Sequence, residues 1–562
     1  MAAKQFVAGV HEVSAVIAKQ ITREEREGSR LSQLISDLVR PGDLLVGDDG
    51  FERAARLSAA LDKELKILLS GRDGLKMFAA LRHVSPRLWV HTPRSHEAIR
   101  RTAELAVHRY ATWPERICLP YHLPRWTGPS LVRVASVLAV AQAFANTLSA
   151  RRRIAKGQVI RVASSAPFIF DFDQGTALNR LIDLRDDRIS QDGNPLATLG
   201  GLLTPANDPF VMPRDWRIVA VEWVAPNEFL PGLQGQLLPP ERMGDGSWVS
   251  LLDRIVRQGF LSDVDALREQ LYDVDQCLRN QFGFGVADMD AVLEGLTNGL
   301  LEECSVPPRT LDFHGFFIVP LPDDSKLLSM LGPGRHADAP VPFTLKSMQN
   351  SLRFLDAGHV EVELERPMQQ RPLRRMGNAI LYDAVNVRAT SLLWDVPLSE
   401  EVRLGMSHGF EAKVHSHLAR FGSQPWHSGR LVKLKGVKVT DVDASVIVGK
   451  TLIVVDCYGS AWSPALDAGS HRETRNRAER LVGKFREWHH KWSELATCHD
   501  FPLPMGVSRV LPVVVTATPE WLHLLDSDLW LTERIPRICT VGELSEFIGS
   551  GMPTGKITFI EP

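Results

Sequence analysis

Neither sign of charge predominates in this 562-residue chain: 65 Lys and Arg stand against 67 Asp and Glu. Binding to nucleic acid therefore cannot rest on net charge and needs a locally basic surface. Cysteine is sparse, and Cys118, Cys277, Cys304, Cys457, Cys498 and Cys539 are scattered without a C-x-x-C pair. That spacing excludes a zinc ribbon or a disulfide framework and suits a reducing cytosol. Long apolar runs are missing as well. The most apolar stretch, Leu131 to Leu148, holds Arg133, Gln142 and Asn146 and runs into Arg151-Arg152-Arg153. It reads as a buried helix rather than a membrane span. Met1 to Arg23 lacks the continuous apolar core of a secretory signal, so a cytoplasmic protein with no membrane partner is expected. No internal repeat is evident.

Several chemical signatures are imitated but incomplete. Gly449-Lys450-Thr451 looks like the end of a phosphate-binding P-loop, yet Ala444 stands where the first Gly is needed and an apolar strand follows instead of a helix. Gly405-Met406-Ser407-His408-Gly409 satisfies G-x-S-x-G, but the preceding Glu400-Glu401-Val402-Arg403 is too polar for the buried strand that a nucleophile elbow follows. Ser407 is more simply a helix cap. His415 and His417 point to different helix faces and His489-His490 are adjacent, so neither is a metal-binding H-E-x-x-H pair. Asp171 and Asp173 read as residues of an alternating strand.

What is present is a globular composition, 44% apolar, whose length implies roughly two to four domains. Residues 1–155 read as a mainly helical domain, with Ala/Leu-rich segments at Phe51–Leu69 and Ser95–Tyr110. Short strands are expected at Asp43–Val46 and Arg87–His91. Residues 156–370 read as mixed α+β, with strands at Val159–Ala163, Phe168–Phe172 and Ile218–Val224 and helices between Trp248 and Cys304. Val319–Phe343, rich in Pro and Gly, reads as a linker or long loop. A boundary is expected near Glu365–Arg375, leaving residues 371–562 as the last domain.

That last domain carries the chemistry. A helix over about Gly409–Phe421 places Phe410, Val414 and Leu418 on one stripe. Strands follow near Arg430–Lys435, Val439–Val448 and Thr451–Cys457, the last two forming a hairpin about Gly449-Lys450. A long helix opens at Ser470-His471-Arg472-Glu473, a capping-box pattern, with the apolar stripe Leu481, Phe485, Trp488, Trp492 and Leu495. Strands at Val510–Thr516 and Ile538–Val541 and a helix at Glu543–Ile548 complete it. Folding about the turn brings Asp443 beside Asp456. Two ionised carboxylates this close repel unless a cation or proton lies between them, and oxygen-rich sites of this kind suit Mg²⁺ or Mn²⁺.

Helix, three strands, helix, strand, with acids on the hairpin, resembles the PD-(D/E)XK superfamily, the restriction-endonuclease-like fold, over roughly the last 150 residues. The resemblance implies an α/β fold with an α-β-β-β-α-β core and a metal-dependent nuclease acting on DNA, in restriction, repair or phage defence. By the same resemblance Asp443 is the metal-binding Asp and Asp441 the acid two residues before it. Asp456 is the second acid, and the Cys457 carbonyl joins the metal shell. Glu411, on the preceding helix, supports water or a second metal. Where the family has Lys, this chain has Tyr458, a phenol without positive charge. An Arg of the following helix, from the group Arg472, Arg475 and Arg477 with Arg475 foremost, is expected to replace it. Lys433, Lys435, Arg472 and Arg477 are candidate phosphate contacts, Trp426 and Trp462 candidate stacking residues. The competing expectation is a nuclease fold that has lost catalysis and keeps nucleic-acid or protein binding, the protein partner meeting the N-terminal or middle domain.

Overall fold

The computed structural model describes residues 19–24, 26, 28–83, 93–118, 128–163, 170–171, 241–242, 248–249, 278–285, 288–289, 291–292, 316–331, 342–359, 364–365, 371–383, 410–412, 414–421, 430–434, 437–459, 470–501, 503–516, 519–521, 527–552 and 559–560. It is a mixture of helix and sheet, as expected. The strand candidates Arg87–His91 and Ile218–Val224, the serine of the G-x-S-x-G pattern, and Trp426 and Trp462 lie outside these residues.

The first half is organised around Gly128–Ala155, the helix read above as buried. It packs chiefly against Gly47–Leu69 and Pro93–Tyr110. Gly47–Leu69 is amphipathic: Ala54, Leu57, Leu61, Leu65 and Leu69 recur every three or four residues and are all buried. Asp48 and Asp49 in its first turn complement the helix dipole. Gly128–Ala155 is instead apolar nearly all round. Leu131–Ala155 is long and apolar enough to cross a membrane by length and composition, and 72% of its most apolar window is buried among neighbouring elements.

A three-stranded antiparallel sheet joins this helical core, with Ala379–Asp383 between Phe316–Pro320 and Leu373–Met376. Phe316, Ile318, Met376, Ala379 and Leu381 belong to the same buried cluster as the helices. Arg82, fully buried, is clamped by Glu104 of its own body and by Asp383 of this sheet, the latter at 2.7 Å. Gly377 turns the last hairpin at φ +58° against the Glu115 carbonyl, and the Asn378 amide bonds both the N–H and the C=O of Ile117, each at 2.9 Å.

The boundary expected near Glu365–Arg375 therefore falls inside one sheet. Basic and Pro-containing residues cluster there, which suggests a boundary, but Arg371 is buried over the Phe354 ring and Leu373 is buried in the ladder. The expected loop Val319–Phe343 likewise contains a helix, Asp324–Leu331, that buries Leu327 and Leu331. Trp248–Val249 is a short strand paired with Glu241–Arg242 rather than a helix start.

The C-terminal sheet has the order Ala444–Val448, Thr451–Tyr458, Arg509–Thr516, Ile538–Thr540. The first pair is an antiparallel hairpin and the other two pairings are parallel. Gly449 turns the hairpin at φ +59°, the left-handed first position of a two-residue II′ connection. Both faces are covered, so the strands read as nearly continuous apolar runs. Odd-numbered residues (Ile453, Val455, Leu511, Val513, Val515) face the helix carrying Phe410, Val414 and Leu418. Even-numbered residues (Leu452, Val454, Val510, Val514) face His471–Ala496 through Leu481, Phe485, Trp488 and Trp492.

Candidate active site

The site begins with a break in a strand. The expected strand Val439–Val448 is two strands, Val437–Val442 and Ala444–Val448, separated by Asp443. The first half pairs with Arg430–Leu434 and the second with Thr451–Tyr458. Asp443 sits where the chain passes from one sheet to the other. Its backbone N–H donates to the Val455 carbonyl at 3.2 Å, and its carboxylate accepts from the Cys457 N–H at 2.6 Å. Beyond Ala444 the hairpin ladder has no backbone acceptor for that N–H, and the side chain supplies one.

Alternation along Thr451–Tyr458 then decides which groups meet. Cys457 turns to the odd face, where it is buried, and the nearby Asp443, Glu411 and Asp456 add to burial in pushing its thiol well above the usual range. Burial and the surrounding acids thus disfavour a thiolate at this position. Asp456 and Tyr458 turn to the even face, against the long helix. The carboxyls of Asp456 and Asp443 lie within hydrogen-bond reach, and the Lys484 ammonium pairs with Asp456 at 3.1 Å. Burial is the main reason the Asp456 carboxyl is pushed up to about 7; Lys484 opposes the shift and Asp443 reinforces it. Near neutral pH the Asp456 carboxyl thus still holds a proton part of the time, beside the Asp443 side chain and one ammonium.

Lys484, not Arg475, is the cation that reaches the acids. The reason is helical phase. Arg475 and Lys484 are nine positions apart, about two and a half turns, and so lie on opposite flanks of the apolar stripe. Arg475 and Arg472 are exposed. Arg477, Arg480 and Lys484 occupy the flank that borders Tyr458. Arg477 is held by Glu520, with Nε 2.8 Å from its carboxylate, and its guanidinium lies 5.6 Å from the Tyr458 ring centroid. Lys484 Nζ lies 5.3 Å from the same ring, and Arg480 donates to the Tyr458 hydroxyl at 3.4 Å. Tyr458 is thus surrounded by three cations from the helix.

Of the remaining candidates, Glu411 is half-buried on the opposite helix, close enough to act on the Cys457 thiol. Asp441 is apart from the cluster: exposed, it pairs with Lys438 at 3.4 Å. A bulge between Lys438 and Thr440 resets the alternation, so these two side chains meet although the count between them is odd. Lys433 is exposed on its strand, whereas Lys435 lies outside the described residues. Arg477, an expected phosphate contact, is committed to Glu520.

Among the described residues no group of three or more His, Cys, Asp or Glu side chains is arranged to hold a metal ion. The Asp443–Asp456 pair still fits one in composition. Mg²⁺ keeps several waters and takes one or two carboxylates rather than a full protein cage. A divalent ion would also replace the proton that burial favours on Asp456. Sequence reasoning did not single out Lys484 and Arg480 as the partners of Asp456 and Tyr458, and it missed Glu520. The usable signal for the first two was their place beside Leu481, Phe485 and Trp488, which must face the sheet. Comparison of the whole chain with known protein families, curated proteins and solved structures gives no match.

Proposed function

We propose that the C-terminal domain is a divalent-metal-dependent phosphodiesterase acting on nucleic acid, DNA in particular, built on a PD-(D/E)XK-like α-β-β-β-α-β core. The observation that carries this reading is the Asp443–Asp456 pair at a strand break, with a lysine on the facing helix at 3.1 Å from Asp456. Asp443 and Asp456 would hold Mg²⁺ or Mn²⁺ together with the Cys457 carbonyl. Such an ion supplies Lewis-acid polarisation of the scissile phosphate and acidifies the attacking water.

The chain's own groups do the rest. Holding such an ion, Asp456 would be ionised and would no longer need Lys484 as its counter-charge. The Lys484 ammonium then offsets charge that builds on the phosphate oxygens, the part that Tyr458 cannot play. Glu411 orients water from the helix on the other face. Hydrolysis breaks the P–O bond to one sugar oxygen, which leaves with a proton, while the water oxygen bonds to phosphorus. A role in restriction, repair or phage defence, in the cytoplasm, accords with this chemistry.

One observation favours a second reading. The proton and Lys484 already compensate Asp443 and Asp456, so the cluster is electrostatically complete without a metal. A nuclease-derived binding module would have that property. Incubation of the full chain with plasmid and single-stranded DNA, with and without Mn²⁺, separates the two. Cleavage that needs Mn²⁺ and is lost in Asp443→Ala, Asp456→Ala and Lys484→Ala supports the enzyme. Metal-independent binding without cleavage supports the module.

A further inference from the structure

We infer that Arg480 and the Tyr458 hydroxyl together form a phosphate clamp one helical turn from Lys484, so that Tyr458 is a substrate-positioning residue in its own right. The inference rests on the reading of the domain as a nucleic-acid phosphodiesterase, and it names the group that holds the phosphate next to the scissile one.

Charge accounting on the helix flank singles out Arg480. Arg477 is paired with Glu520, and Lys484 with Asp456. Arg480 is exposed, and among the described residues its hydrogen bond goes to the Tyr458 hydroxyl rather than to a carboxylate. It is the excess positive charge of the cluster. A guanidinium is a planar fork suited to two phosphate oxygens at once.

The direction of the Tyr458 hydrogen bond matters. The hydroxyl accepts from Arg480, so its own proton is left to donate. Guanidinium N–H groups and a phenol O–H side by side offer donors without a competing acceptor, which is the requirement for binding an anion. The phenol is also held in place. Its ring lies 5.6 Å from the Arg477 guanidinium, itself fixed by buried Glu520, and 5.3 Å from Lys484 Nζ.

Spacing identifies the anion as part of a polymer. Arg480 and Lys484 are four residues apart on a continuous helix, about 6 Å along its axis. That is comparable to the separation of neighbouring phosphates along one strand. Lys484 addresses the phosphate beside Asp443 and Asp456, and Arg480 with Tyr458 addresses the next.

The test is equilibrium binding of the full chain to a fluorescein-labelled DNA oligonucleotide, single-stranded and duplex, in EDTA, across a salt series. Arg480→Ala is expected to weaken binding roughly tenfold at low salt. It should also reduce the slope of log K against log salt by about 0.7 on the single strand or about 0.9 on the duplex. Tyr458→Phe keeps every charge, so it should weaken binding without changing the slope. Arg475→Ala, on the opposite flank, should alter neither. If wild type binds and Arg480→Ala leaves its slope unchanged, the clamp is wrong while the phosphodiesterase reading stands. If wild type binds neither oligonucleotide, the parent reading fails and takes the clamp with it. Arg480 is exposed, so an unchanged thermal melt will show that Arg480→Ala remains folded.

Discussion

Replacing Asp456 by Asn should stabilise the C-terminal domain at pH 8 and leave it nearly unchanged at pH 4. The Asp456 carboxyl is raised from 3.8 to about 7, chiefly by burial, and its side chain is 18% exposed. Below about pH 4 both the folded and unfolded chains hold this proton, and no differential exists. Between about 4 and 7 the folded state keeps a proton that the unfolded state has released, so stability falls as pH rises. Above 7 the whole cost is in place. At about 1.4 kcal/mol per pH unit the bound is about 4 kcal/mol. Asn resembles the protonated acid in shape and cannot ionise. It also leaves Lys484, one-third exposed, without its partner, which offsets part of the gain. A net of about 2 kcal/mol at pH 8 is expected, or roughly 4–8 °C in Tm for a domain of this size. The assay is a fluorescence melt following Trp488 and Trp492, whose rings meet edge to face in this domain's core. Wild type at pH 8 should also gain stability from millimolar Mn²⁺, whereas Asp456→Asn gains less. A variant destabilised equally at pH 4 and pH 8 would refute the raised Asp456 carboxyl.

Further outcomes follow from the same geometry. Lys484→Ala should lower Mn²⁺-dependent cleavage by about 10²–10³-fold, as for loss of one group aimed at transition-state charge, while Arg475→Ala stays within about threefold; equal losses would mean that helical phase does not select the cation. Gly377→Ala would place a methyl group on the Glu115 carbonyl at a left-handed φ. It should cost upwards of about 1 kcal/mol, and an unchanged melting curve for the N-terminal half would contradict the docking of that hairpin.

The C-terminal order was legible because its signals are local. Val-, Ile- and Thr-rich arms on either side of the turn at Gly449-Lys450 define the hairpin, and the Phe410, Val414, Leu418 stripe defines the preceding helix. The meeting of Asp443 with Asp456 followed from the register. What pattern reading missed depends on tertiary phase. Which basic residue reaches Asp456 is set by the rotation of His471–Ala496 on the sheet, and Arg475 was favoured because it lies in the turns nearest the strand end. Simple alternation places Asp441 beside Asp443, but the strand breaks at Asp443, where the chain passes from one sheet to the other, and Asp441 pairs with Lys438 instead. The boundary near 365–375 failed for a different reason. Composition reads Arg371 and Arg374 as surface, but Arg371 is buried over Phe354 and Arg374 stacks on Trp113.

The most direct measurement is a Mn²⁺ titration by calorimetry at pH 6 and pH 8, with wild type and Asp443→Ala. One ion should bind in the millimolar range or tighter, and binding should be lost in the variant. About one proton should be released per ion at pH 6 and fewer at pH 8, because the ion displaces the proton held by Asp456. Absence of binding at millimolar Mn²⁺, or binding that Asp443→Ala leaves intact, would contradict it.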